Sequence, residues 1–207
     1  MPIVMLNALW LLVGCVEYPY KTIDSGDSAT TDTAAATTSV PDTDVDPLCD
    51  VAPAVYIGTG EEFFEPLSEG DQVPIIAGPQ GGWHIWQSIE TYNMGEVADT
   101  HLSITLASTG AVVSEGKYLV GLLKDEELVC RNYFFGMFGF LDTDDLAYES
   151  CDTPPELLGY REVCLNVEVV DEFGVEASDS RCVLAVPWSG DNTRIDDECL
   201  PSDALLR

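Results

Sequence analysis

Seven cysteines, two histidines and several close-set aspartates are the residues of this 207-residue chain whose chemistry reaches beyond packing. The cysteines are Cys15, Cys49, Cys130, Cys151, Cys164, Cys182 and Cys199. No two stand in a C-x-x-C spacing, so neither a dithiol redox centre nor a zinc knot is expected. With Cys15 set aside, six remain, enough for three disulfides in many connectivities. One pair follows from local pattern. Val163 to Val170 alternates as a strand, Asp171 to Gly174 reads as a turn, and Val175 to Val186 returns. Folding that hairpin sets Cys164 opposite Cys182, close enough to bridge. Cys130 with Cys151 and Cys49 with Cys199 are the least entangled completion, the last tying the domain ends together.

The histidines are His84, inside an expected strand Trp83–Tyr92, and His101, at the start of the next. A hairpin about Gly95 would bring His101 near Glu90 and leave His84 well away, so no shared metal site is expected. His84 and Trp86 are the candidate ligand contacts. Trp83 and Trp86 must face opposite sides of a strand, with one in the core and the other half exposed or covered by a loop. The run Phe134-Phe135-Gly136-Met137-Phe138-Gly139-Phe140 reads as a crossing between sheets, or alternatively as a contact patch. After it, Asp142, Asp144 and Asp145 make a weak candidate cation site. There is no G-x-S-x-G, H-E-x-x-H or P-loop. Carboxylates are so abundant that no pair singles itself out as hydrolytic. The expectation is a non-enzyme with no cofactor and no committed metal site.

Charge narrows the partners. There are 37 acidic residues against 8 basic ones, a formal net charge of −29. A phosphate backbone is repelled by such a surface, so nucleic acid is excluded as a partner.

Ile3 to Val13 is an apolar run too short to span a bilayer and of the length of a signal-peptide core. It ends in Leu12-Val13-Gly14-Cys15, which resembles the lipobox of bacterial lipoproteins. The resemblance implies cleavage after Gly14, so that residues 1–14 are signal peptide. It also implies acylation of Cys15 and anchoring of the mature chain in a membrane. Val16 in place of aspartate leans towards the outer membrane. Residues 15–47, rich in Ser, Thr and Asp, cannot bury enough apolar surface to order themselves and read as a disordered acidic tether. Within it, Asp42-Thr43-Asp44-Val45-Asp46 resembles the opening of a calcium loop. Pro47 and Pro53 occupy the positions of its Gly and closing Glu, so a spacer is expected.

Residues 48–207 carry short alternating strands separated by turn signals, which predicts an antiparallel β-sandwich. Gly159-Tyr160-Arg161-Glu162-Val163, Asp171-Glu172-Phe173-Gly174 and Ala177-Ser178-Asp179-Ser180 resemble the last hairpin of bacterial immunoglobulin-like domains, including the PKD and cadherin-like groups. That likeness implies a module for adhesion, display or spacing, without chemistry of its own. Gly78-Pro79-Gln80-Gly81-Gly82-Trp83-His84-Ile85-Trp86 resembles a run in uncharacterised predicted lipoproteins of myxobacteria, which implies no function. The sequence as a whole suggests an envelope lipoprotein that binds an unknown protein or glycan. A carbohydrate- or cation-binding module on the same scaffold is the second reading, and a small hydrolase the third.

Overall fold

A computed structural model describes residues 49–78, 81–148, 150–188 and 198–199. The expected signal peptide, Cys15 and the tether lie outside the described residues. Ten strands follow in order: β1 Ala54–Thr59, β2 Glu65–Pro66, β3 Gln72–Ala77, β4 Trp83–Tyr92, β5 Val97–Leu106, β6 Val112–Gly121, β7 Leu123–Lys124, β8 Arg131–Phe140, β9 Arg161–Asp171 and β10 Glu176–Pro187. A 3-10 turn, Asp144–Leu146, and one short helix, α1 Pro154–Leu158, sit between β8 and β9.

The strands form one curled sheet that packs on itself as a sandwich. Its first layer is β2-β1-β4-β8-β7 and its second is β3-β10-β9-β5-β6. β3 joins the layers: Ile76 and Ala77 pair antiparallel with β4, while residues 72–75 pair with β10. The β3–β10 pair is parallel, the one departure from the expected antiparallel scheme among these pairs. In this order β4 to β10 take the places of strands B, C, C′, D, E, F and G of an immunoglobulin-like sandwich.

Each layer buries one face because its strands alternate. In β9 the core residues are Val163, Leu165, Val167 and Val169, while Glu162, Glu168 and Val170 point outward. In β4, Ile85 and Ile89 are fully buried, with Gln87 between them. Ile57, Ile75, Leu102, Ile104 and Val183 close the same core from the other strands. β4 and β5 do not form the hairpin expected about Gly95. They separate into different layers, so the connection at residues 94–96 crosses the sandwich edge.

The phenylalanine run is neither a crossing nor a simple patch. It is β8 itself, with Phe134 and Met137 turned to the core and Phe138 and Phe140 turned out. A bulge at Gly136 inserts one residue, because β4 advances from Gln87 to Ile89 while β8 moves from Met137 to Phe134. Gly136 has φ +76°, and a Cβ there would stand 2.7 Å from the Glu61 carbonyl oxygen. Gly136→Ala therefore meets both backbone strain and a clash. It is expected to cost about 1–3 kcal/mol, read as a lower urea midpoint at unchanged slope.

Three disulfides brace the domain: Cys49–Cys130, Cys151–Cys199 and Cys164–Cys182. Cys164 and Cys182 are direct cross-strand partners on the outer face of the β9–β10 hairpin. The other two expected pairs, Cys130–Cys151 and Cys49–Cys199, are corrected. Cys130 and Cys151 lie beyond opposite ends of β8, a strand of ten residues that spans about 33 Å. Asn93, at φ +53°, fixes the alternative. Its backbone N–H donates to the Cys130 carbonyl at 2.8 Å and its side-chain amide donates to the Cys49 carbonyl at 3.0 Å. Cys151 and Cys199 instead pack with Leu157 of α1 in a small second core.

Candidate functional site

The outer face of the first layer carries aromatic side chains at both ends. Alternation along β4 sends His84, Trp86, Glu90 and Tyr92 to this face, opposite the core residues Ile85, Ile89 and Thr91. β8 supplies Arg131, Tyr133 and Phe135 before its bulge, and Phe138 and Phe140 after it. β1 adds Tyr56. Across the middle lies the β1–β2 loop. It is held down by the Gly136 N–H donating to the Gly60 carbonyl at 3.1 Å and the Ser88 hydroxyl donating to the same oxygen at 2.9 Å.

At one end stand the two residues singled out from the sequence. His84 is buried, 2% exposed, and its ring meets Trp86 edge-on at 4.7 Å between centroids. Trp86 lies 4.4 Å from Phe138, which stacks on Phe140 at 5.1 Å. Phe140 is 60% exposed, so the patch is open to solvent at its edge. Trp83, on the opposite side of β4, packs against the core. The tryptophans thus divide as strand geometry requires. His84 is part of the packing under the aromatics and does not project into solvent.

At the other end is a group that sequence reasoning did not single out. Glu90 is flanked by Tyr56 directly across β1 and by Tyr133 directly across β8, with Tyr92 two residues along. The Tyr56 and Tyr92 rings meet at 85° with centroids 5.8 Å apart, making a corner. Two adjoining clefts, of about 390 and about 530 Å³, share Phe64, Pro66, Glu90 and Tyr92 in their walls.

The polar groups there are unequally satisfied. Asp125 Oδ1 accepts the Glu127 and Leu128 backbone N–H groups at 2.7 and 2.8 Å. Its Oδ2 accepts Arg131 Nη2 at 2.6 Å and Nε at 3.0 Å. Those backbone bonds, with Arg131 behind them, hold the Asp125 carboxyl below the usual range. Glu90 is met by Arg131 Nη1 at 3.4 Å and by the Tyr92 hydroxyl, and its side chain is only 17% exposed. Burial raises its pKa, and Arg131 and the Tyr92 hydroxyl offset that only in part. The guanidinium thus lies closer to Asp125 than to Glu90, and Glu90 is the less compensated charge. Arg181, beside the first cleft, pairs with Asp179 at 2.6 Å.

The remaining sequence candidates do not converge. His101 lies on the other layer, its Nε2 2.8 Å from Glu115 and its Nδ1 3.5 Å from Glu168, rather than near Glu90. Asp142, Asp144 and Asp145 are exposed around the 3-10 turn, where Asp142 Oδ1 accepts the Asp144 N–H at 3.3 Å. Among the described residues, no group of three or more His, Cys, Asp or Glu side chains is placed to hold a metal ion. The signal for Glu90 and Tyr92 was present in the alternation of β4. The signal for Tyr56, Arg131 and Tyr133 was not, because it depends on which strands flank β4.

No protein-family model and no curated protein matches the chain. Among solved structures, it is similar to CopC from Methylosinus trichosporium OB3b, at 14% identity and a TM-score of 0.29, over 62% of this chain and 91% of that one. It is also similar to the CooA pilin subunit from enterotoxigenic Escherichia coli, at 10% identity and a TM-score of 0.28, over 65% and 99% of the two chains.

Proposed function

We propose that this chain is a lipid-anchored, non-catalytic binding module of the cell envelope. In this reading Cys15 carries the acyl chains, residues 15–47 are the tether, and the outer face of the first layer is the binding surface. Cysteine accounting carries it. Cys49, Cys130, Cys151, Cys164, Cys182 and Cys199 are all joined to one another, so the odd cysteine of the sequence is the one in Leu12-Val13-Gly14-Cys15. Three disulfides also suit an exported chain better than a cytosolic one. Two or three acyl chains, at about 0.8 kcal/mol per buried CH₂, anchor stably. Val16 favours the outer membrane over the inner.

The test is the mass of the N-terminal peptide of the mature chain from membrane fractions. A diacylglyceryl mass on Cys15 is expected, and Cys15→Ser is expected to move the protein to the soluble fraction. An N-terminus at Met1 with unmodified Cys15 overturns the anchor. A binding role for a carbohydrate or a cation is favoured over a purely structural one by the exposed aromatics of β8, because Phe140 at 60% exposure and its stacked neighbour Phe138 cover nothing of the core.

A further inference from the structure

Glu90 and its ring of tyrosines form a site with a definite chemical preference. Three features set it. First, the walls are aromatic: Tyr56, Phe64 and the Tyr92 corner line the first cleft with Glu90, and Tyr133 stands on the other side of the carboxylate in the second. Tyrosine faces attract cations that have shed part of their water. Second, the fixed charges leave an excess of one negative. Glu90, Asp125 and Asp179 stand against Arg131 and Arg181, three negative and two positive; Arg181 pairs with Asp179 at 2.6 Å, and Arg131 lies closer to Asp125, at 2.6 Å, than to Glu90, at 3.4 Å. Third, the whole chain, at −29, draws cations towards any such cleft.

A neutral sugar needs several donors and acceptors spread around its ring. Here Asp125 is saturated by backbone and arginine bonds, and Arg131 and Arg181 are engaged, so Glu90 is the charged group left to receive a partner, with the tyrosine hydroxyls beside it. An anion would meet that carboxylate at short range.

We propose that the first cleft at Glu90 binds an alkylammonium group, with Glu90 as its counter-charge and Tyr56, Phe64 and Tyr92 packed on its methyl or methylene carbons. This deepens the reading of the outer face as a binding surface and is independent of the lipid anchor. The same chemistry is offered by a free quaternary amine and by a lysine side chain of a protein partner.

The test titrates the full-length protein with choline, with its neutral isostere 3,3-dimethylbutan-1-ol, and with Nα-acetyl-lysine amide, followed by calorimetry and tyrosine fluorescence. A charged probe is expected to bind at least about tenfold more tightly than the neutral isostere. Tighter binding of choline assigns the site to a free amine, and tighter binding of the lysine derivative assigns it to a protein side chain. Glu90→Gln keeps the shape of the side chain and is expected to weaken binding about tenfold or more. Tyr56→Ala, at an exposed position, is expected to weaken it too, while Glu115→Gln on the other layer leaves it unchanged. A melting curve for each variant separates loss of the site from loss of the fold. Equal binding of choline and its isostere, unchanged affinity in Glu90→Gln, or no binding of either charged probe overturns the proposal. Binding of a chito-oligosaccharide insensitive to Glu90→Gln also overturns it, while leaving the broader binding role in place.

Discussion

Replacing Cys49 and Cys130 together by alanine is expected to lower the unfolding free energy by about 4 kcal/mol, more than removal of either other bridge. The bond closes a separation of 81 residues, against 48 for Cys151–Cys199 and 18 for Cys164–Cys182. On the chain-entropy account a loop of about 80 residues is worth about 4.5 kcal/mol and one of about 18 residues about 3 kcal/mol. Native contacts widen the difference. Cys164 and Cys182 sit within a ladder of ten paired residues on each strand, so β9 and β10 stay in register without the sulfur link. The segment at Cys49 enters β1 with little else to hold it beyond Asn93, whose amide donates to the Cys49 and Val51 carbonyls. Guanidinium unfolding of the three double variants, compared at equal slope, reads the order. A larger loss for Cys164→Ala with Cys182→Ala would mean that the hairpin is held by its sulfurs and not by its ladder.

That contrast also explains how much of the fold was legible. The β9–β10 hairpin could be read because it is local: alternating Val163, Leu165, Val167 and Val169, a D-x-x-G turn, and a return strand whose register follows from the turn. The outer-face bridge came with it. The long bridges could not be read, because they depend on which end of β8 faces which loop, and no local pattern encodes that. The same limit separated β4 from β5. Two adjacent alternating segments look like a hairpin in sequence, yet the pairs that win are β4 with β1 and β8, and β5 with β6 and β9. Non-local pairing, not strand propensity, decided the topology.

The candidate site divides in the same way. Period-two alternation from His84 puts Trp86, Glu90 and Tyr92 on one face, and that much was open to inspection. The rarer residue types, tryptophan and histidine, mark the end of β4 where His84 is buried under its neighbours. The end with the unequal charges needed Asp125 and Arg131 in place. Those come from the connection into β8 and from its first residue. Asp125 caps the Glu127 and Leu128 amides and turns the chain, so that β8 begins only at Arg131.

Asp171→Ala is expected to be the most damaging single substitution of a polar residue, at about 3 kcal/mol. The side chain is buried at the end of β9, and its carboxylate gathers three backbone donors. Oδ2 accepts the Gly95 N–H at 2.8 Å, and Oδ1 accepts the Phe173 and Val175 N–H groups at 2.9 and 2.8 Å. One carboxylate therefore closes the β9–β10 turn and pins the connection that carries the chain from β4 to β5 across the sandwich edge. Its neighbour Glu172 completes the clamp by accepting the Glu96 and Val97 N–H groups, and leaves no room for a Cβ at Gly95. Burial alone would raise the Asp171 pKa, but the Gly95, Val175 and Phe173 bonds outweigh it and hold the group below its ordinary 3.8. A carboxyl depressed on folding stabilises the folded state fully above its unfolded pKa. That contribution is lost as pH falls through the folded value. Asp171 should thus add nothing to the slope of stability against pH above about pH 5, and should give up its share below about pH 4. Asp171→Asn separates charge from shape. It keeps one acceptor but turns an amide N–H₂ towards backbone donors, so stability falls at neutral pH, while the part of the acid-induced loss that belongs to this group disappears. Urea midpoints for the three proteins between about pH 3 and pH 7 measure both effects. Parallel curves for the Asp171→Asn variant and the unaltered protein below about pH 4 would show that the acid sensitivity comes from elsewhere, with Glu172 the next group to replace.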